Sequence, residues 1–283
     1  MVNLILGDVP KKDKKEYMPI AIVKGDDKKC PYYNSFLNLN SSEKQSTITN
    51  QVELPISCHF SLLPNADKDK RDCWYIAGQS GSGKSYIAKM LAENYCKMYP
   101  DRKVYLISKL DNDETIDSAA CDIIRLDYSD WDEEPPEINT IKNCMVIFDD
   151  VDTISKDENG VQVQQFADDI ATMGRKHGDD QGNITMIYIS HTLTNYKKSR
   201  ILLLESTHYV LFPQNTSTNT MRHLLITHVG MDEKDIKKLK RLKSRWICIK
   251  KGFPSYLIYQ HGAKLLFQDD DEDNNDDHKL LKR

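Results

Sequence analysis

Apolar runs and helical repeats alternate along most of the chain. CWYIAG (73–78), KVYLIS (103–108), CDIIRLD (121–127), NCMVIFDD (143–150), NITMIYIS (183–190) and THYVLF (207–212) have the length and composition of buried strands. Between them, SYIAKMLAENYCKMY (85–99) places Ile87, Met90, Leu91 and Tyr95 at helical spacing. VQVQQFADDIATM (161–173) places Val163, Phe166, Ile170 and Met173 on one helical face. A Leu-rich segment, SRILLLE (199–205), precedes the THYVLF run. Helical KDIKKLKRLK (234–243) then leads into RWICIK (245–250) and PSYLIYQH (254–261), which read as a closing hairpin. Strands alternating with helices predict an α/β fold with a mainly parallel sheet covered on both faces. Upstream, residues 1–66 are β-rich and irregular, with YMPIAIVKG (17–25) and QVELPIS (51–57) as short strands. That segment is either a small β-module or strands wrapped on the core. The expected division is 1–66, an α/β domain over 67–267, and a tail over 268–283. No internal repeat is visible.

Composition adds limits. The chain has 283 residues, 39% hydrophobic and 29% charged, which suits a soluble domain with a real core. No apolar run approaches the ~18 residues of a membrane span, so no membrane insertion is expected. MVNLILGDVP has no basic flank before its apolar segment and is not read as a secretion signal. The seven cysteines include no CxxC pair, and reduced thiols in an intracellular protein are the simplest reading. The net charge of −4 resides in the tail, where DDDEDNNDDHKLLKR (269–283) holds seven acids and three bases. Such a run cannot bury apolar surface and is expected to be disordered. It is either a solvated end or a competitor of nucleic acid for a basic surface.

GQSGSGKS (78–85) fits G-x-x-x-x-G-K-[ST] at every fixed position, directly after a strand and opening a helix. Gly78, Gly81 and Gly83 let the backbone curl so that the N–H groups of Gln79, Ser80 and Ser82 can face phosphates. The helix N-terminus adds a field that favours anions. Lys84 is expected to reach the β- and γ-phosphates, and the Ser85 hydroxyl to ligate Mg²⁺.

CMVIFDDVD ends an apolar strand in Asp149 and Asp150. In open α/β sheets that edge is where ligands bind. Asp149 is expected to hold the hydrated Mg²⁺, and Asp150 to orient or deprotonate the attacking water, with Asp152 as runner-up. Paired acids this far downstream favour an ATPase of the additional-strand, RecA-like type, a three-layer P-loop NTPase sandwich. In that type a further strand lies between the loop strand and the acidic strand and carries a polar sensor. NITMIYISH fits, offering Ser190 and His191 beside the γ-phosphate.

The ordered set IFDDVD, helix, MGRKH, NITMIYISH and STHYVLF resembles the poxvirus-type genome packaging ATPases of large DNA viruses, in the FtsK–HerA superfamily of ring-forming DNA pumps. The resemblance covers roughly residues 73–212. It implies an ATP-driven motor that moves double-stranded viral DNA into a capsid, working as a homo-oligomeric ring with a capsid or portal partner. It also implies a place in a cytoplasmic virus factory of the host, and in the virion. Arg175, in the loop after the acidic strand's helix, is then expected to act in a neighbour's site as an arginine finger. Planar, permanently charged guanidinium suits that work better than lysine. Two positions depart from the family. His191 stands where the family tends to carry Gln, which makes a sensor there pH-sensitive. Leu203 stands near a family arginine, for which Arg200 is the candidate replacement.

A packaging motor must grip duplex DNA by its backbone without reading sequence. KDIKKLKRLKSRW (234–246) has seven bases and one acid, with Lys237, Lys238, Lys240 and Arg241 expected outward from Ile236, Leu239 and Leu242. KKSR (197–200) is a second candidate contact. Two other classes share the phosphate loop. A small-molecule kinase needs an arginine-rich lid, of which there is no sign. A nucleotide-dependent assembly switch needs no paired acids.

Overall fold

The computed structural model describes residues 2–8, 16–41, 49–134, 136–156, 159–175, 182–193 and 199–266. The acidic tail, Lys176 and His177, and Lys197 and Lys198 lie outside the described residues.

The apolar runs assemble into one sheet of ten strands. Its parallel part contains β6 (Cys73–Ala77), β7 (Val104–Ser108), β8 (Ile123–Arg125), β9 (Met145–Asp149), β10 (Thr185–Ser190) and β11 (His208–Leu211). The order is β8-β7-β9-β10-β6-β11, with each neighbouring pair parallel. So β10 lies between the phosphate-loop strand and the acidic strand, the arrangement of the additional-strand type. Beyond β11 the sheet turns antiparallel through β12 (Ile247–Lys250), β13 (Tyr256–Tyr259), β14 (Gly262–Leu265) and β4 (Gln51–Glu53). The expected closing hairpin is β12–β13.

Side-chain alternation along the strands splits the core in two. One face carries Trp74, Ile76, Met145, Ile147, Ile187 and Ile189 under α1 (Lys84–Met98), which contributes Ile87, Leu91 and Tyr95. The other carries Tyr75, Val146, Phe148, Tyr188 and Tyr209. There α3 (Gly160–Met173) adds Val163, Phe166 and Ile170, while α4 (Arg200–Glu205) and α6 (Glu233–Arg241) add Leu203, Ile236 and Leu239. Met173, expected on that face, is 45% exposed because it lies in the last turn of α3, beyond the strand edge.

The first 66 residues hold a four-stranded antiparallel sheet in the order β1-β3-β2-β5, with β1 (Asn3–Gly7), β2 (Tyr17–Gly25), β3 (Phe36–Asn40) and β5 (Cys58–Leu62). Leu37, Phe60 and Leu62 join the same core as α1. QVELPIS is not one strand. A turn at Pro55–Ser57 divides it, so β4 pairs with β14 in the large sheet and β5 pairs with β2 in the small one. The β2–β5 register sets Gly25 opposite Cys58. It thereby brings Cys30 to Cys58, with Cα atoms 5.2 Å apart, and the two form a disulfide. Reduced thiols were expected throughout; Cys73, Cys96, Cys121, Cys144 and Cys248 are free. The 28-residue separation of Cys30 and Cys58 conceals their pairing, because a β-ladder makes them neighbours. Among the described residues no helix is long and apolar enough to cross a membrane.

The small sheet is tied to α1 by a buried side chain. Asn94 Nδ2 donates to Ser61 Oγ (3.0 Å) and to the Leu62 carbonyl (2.8 Å). Asn94→Ala leaves both acceptors buried without that donor, at a cost of about 1–3 kcal/mol. The urea midpoint should fall with an unchanged m-value. An unshifted midpoint would show that the small sheet does not depend on this link.

Candidate functional site

Residues 78–83 run from the end of β6 to the start of α1. Gly81 and Gly83 have φ of +74° and +108°, a left-handed backbone that a side chain would strain. Gly78 is needed for a different reason. A Cβ there would lie 2.7 Å from both Phe212 Cδ2 and Ser82 Oγ. The N-terminus of α1 has no side-chain cap and no acid in its first turn. Its N–H groups therefore remain available to an anion.

Lys84 is 7% exposed. Its ammonium donates to the Gln79 carbonyl (3.2 Å) and lies 3.3 Å from His191 Nδ1. Burial lowers its pKa, and Asp150, Asp149 and Asp152 oppose that. His191 Nε2 meets Asp150 Oδ1 at 2.6 Å. The ring thus stands between the ammonium and the carboxylate, in contact with Asp150 Oδ1 without a hydrogen bond to it. Asp150 reaches this place through a left-handed backbone (φ 55°) at the end of β9.

The parallel register sets Asp149 beside Ile189 on one side and Ser108 on the other. Its carboxyl is 3% exposed, and burial, then Asp150 and Asp113, push its pKa up to about 7. Lys84 and the Ser108 hydroxyl, 3.4 Å away, counter this only partly. Asp113 is the acid that sequence reading missed. Its Oδ1 caps α2 (Glu114–Asp117) by accepting from Thr115 and Ile116 N–H, and its Oδ2 accepts from Ser85 Oγ at 3.1 Å. The available signal was a capping acid just past the tip of β7, since β7 neighbours β9 and delivers that loop to the same edge.

Not every candidate converges. Ser190 is 2% exposed, with its hydroxyl 2.9 Å from Asp152 Oδ2 and from the Thr192 carbonyl oxygen. His191, one residue further, is the member of the pair that meets Lys84. Arg175 is exposed just beyond α3. Its carbonyl accepts from Gly182 N–H, and Gly182 in turn accepts from Asn143 N–H just ahead of β9. Arg175 therefore sits at the edge where β9 and β10 begin, opposite the edge that carries its own phosphate loop. Leu203 is core, and Arg200 is exposed. On α6 the outward reading holds for Lys237, Lys238 and Arg241, which are exposed, Lys238 pairing with Asp235 at 2.9 Å. It fails for Lys240, which is half-buried because its ammonium donates to the carbonyls of Pro213 and Thr216 (2.7 Å to the latter). Arg245, from the same basic stretch, instead reaches the loop and donates from Nε to the Ser82 carbonyl at 3.3 Å.

No family model matches the chain. It is 32% identical over 256 residues to the uncharacterized protein V3 of Sputnik virophage, across 90% of this chain and 97% of that one. Similar solved structures include the genome packaging NTPase B204 from Sulfolobus turreted icosahedral virus 2 in complex with ATP-gammaS. That protein is 13% identical, over 65% of this chain and 93% of that one, with a TM-score of 0.43. The pCW3 conjugation coupling protein TcpA is 11% identical, over 92% and 85% of the two chains, with a TM-score of 0.43.

The raised pKa of Asp149 has a measurable sign. Its folded value lies above the unfolded one, so the carboxylate costs stability progressively between the ordinary value of 3.8 and about 7. Asp149→Asn should raise the Tm of the nucleotide-free protein by roughly 3 °C or more at about pH 8. The gain should shrink toward zero near pH 4. An equal Tm difference at both ends would mean that the carboxylate's charge is not the cause.

Proposed function

We propose, for a chain that belongs to the family of the Sputnik virophage protein V3, that it hydrolyses ATP as a motor moving double-stranded DNA, without regard to sequence, into a viral capsid. The observation that carries this reading is the meeting of Lys84, Asp149, Asp150 and His191 at one sheet edge, across the intervening strand β10. The triphosphate lies against residues 78–85, with Lys84 leaving His191 for the β- and γ-phosphates. Asp150 takes a proton from water as its oxygen bonds to the γ-phosphorus. The bond to the β–γ bridging oxygen breaks, and ADP departs with that electron pair.

The site suits Mg²⁺. Asp149, Asp150 and Asp113 gather negative charge that Lys84 does not neutralise; burial first, and then these neighbouring acids, raise the pKa of Asp149. Ser85 and Asp149 would hold the ion, which when bound supplies charge neutralisation at the phosphate oxygens. Among the described residues no group of three His, Cys, Asp or Glu side chains could hold a metal. A cation completed by phosphate and water needs no such cage.

Arg175 acts on the neighbouring subunit of a homo-oligomeric ring. Its exposed place at the far edge of the sheet supports a role in another subunit's site rather than in its own. The motor works on a capsid or portal component in the host cytoplasm. Lys237 and Arg241, exposed on α6, are placed to meet DNA phosphates.

Steady-state ATP hydrolysis, with and without long duplex DNA and with Lys84→Ala as background, tests this reading. DNA of any sequence should stimulate turnover. Arg175→Ala should lower it by about 10³-fold or more. Mixing Arg175→Ala with Lys84→Ala subunits should restore part of the activity, because an intact arginine then faces an intact loop. Turnover untouched by Arg175→Ala sinks the finger. ADP formed only with an added phosphate acceptor indicates a kinase instead.

A further inference from the structure

A cavity of about 300 Å³ adjoins the phosphate loop on the side away from Asp150 and His191. Ser82 and Gly83 of the loop and Tyr86 of α1 form one wall. Arg245 and Gln260, from the two ends of the β12–β13 hairpin, form another, and His59 of β5 helps to close it. Phe212 and Trp246 give it a buried apolar floor, 1% and 5% exposed. Its size and its mixture of aromatic surface with few polar groups suit a small organic ligand.

The polar groups are set out for recognition. Arg245 uses Nε on the Ser82 carbonyl (3.3 Å), which leaves its terminal amino groups. Gln260 accepts the Arg245 N–H through Oε1 (2.7 Å), which leaves its amide N–H groups to donate. His261, also in the lining, places Nδ1 2.7 Å from the Cys58 carbonyl. Nδ1 is therefore the donor, and Nε2 in the neutral ring is an acceptor. Ser82 Oγ is buried and has no protein partner. Tyr86, 55% exposed at the start of α1, offers an aromatic face. Donors, an acceptor and an aromatic face beside a phosphate-binding backbone match a nucleoside.

We infer that this cavity seats the base and ribose of the nucleotide whose phosphates the loop holds, and that residues 1–66 take part in binding through His59. The inference rests on the nucleotide reading of residues 78–85. It gives the N-terminal sheet a function that sequence reading left blank. His59 lies on β5, paired with β2 at Lys24, so an occupied cavity touches the small sheet directly. Burial, then His261 and Lys24, lower the His59 pKa, so the ring stays neutral and offers one donor and one acceptor.

Binding of ATP and of inorganic triphosphate to the full chain separates the two halves of the ligand. The wild type should bind ATP at least about tenfold more tightly than triphosphate. His59→Ala and Tyr86→Ala should each bring ATP down toward the triphosphate value and leave triphosphate affinity unchanged. Equal affinities in the wild type overturn the cavity while sparing the loop. ATP affinity unchanged in Tyr86→Ala, with both ligands lost alike in His59→Ala, overturns it too. If the wild type binds neither ligand, the phosphate-loop reading itself fails.

Discussion

A lysine buried among carboxylates is the constraint on which the site depends. Lys84 and Asp149 are 7% and 3% exposed, and neither can be well solvated. A buried charge is tolerated only when paired, and this edge holds more acid than base. His191 bridges Lys84 and Asp150 and spreads the imbalance without cancelling it. Burial, and then Asp150 and Asp113 beside it, raise the pKa of Asp149. An edge of this kind gives up stability, the usual exchange at functional sites.

The sheet imposes the rest of the geometry. Parallel strands place all their C-terminal ends at one edge and all their starts at the other. Asp113, Asp149, Lys84 and His191 share the first edge because β7, β9, β6 and β10 are neighbours. Arg175 is on the second because α3 returns the chain there before β10 begins. One protomer therefore presents the phosphate-loop edge and, at the opposite rim, an exposed arginine, which the proposed head-to-tail ring would bring together.

The N-terminal segment is built into this arrangement. Its β4 extends the large sheet, its β5 packs under α1 through Asn94, and the Cys30–Cys58 bond fixes the start of β5 against the turn after β2. The loop's own helix is thus held by the sheet on one side and by the small sheet on the other.

Legibility followed chain distance. Residues 78–85 were readable because the chemistry is local: left-handed glycines, a helix start and Lys84 act within eight positions. The acidic strand and the strand between it and the loop were readable because buried parallel strands are continuous apolar runs ending in polar tips. Asp113, Arg245 and His59 were not, since each looks like an ordinary cap, a basic-stretch residue or a strand residue where it stands in the chain. The split of QVELPIS between two sheets and the Cys30–Cys58 pair were hidden for the same reason. The sequence by itself determined the fold class, the phosphate loop and the acid pair. Only the tertiary structure decided which distant side chains complete the site, because strand order, not sequence spacing, sets which loops meet at an edge.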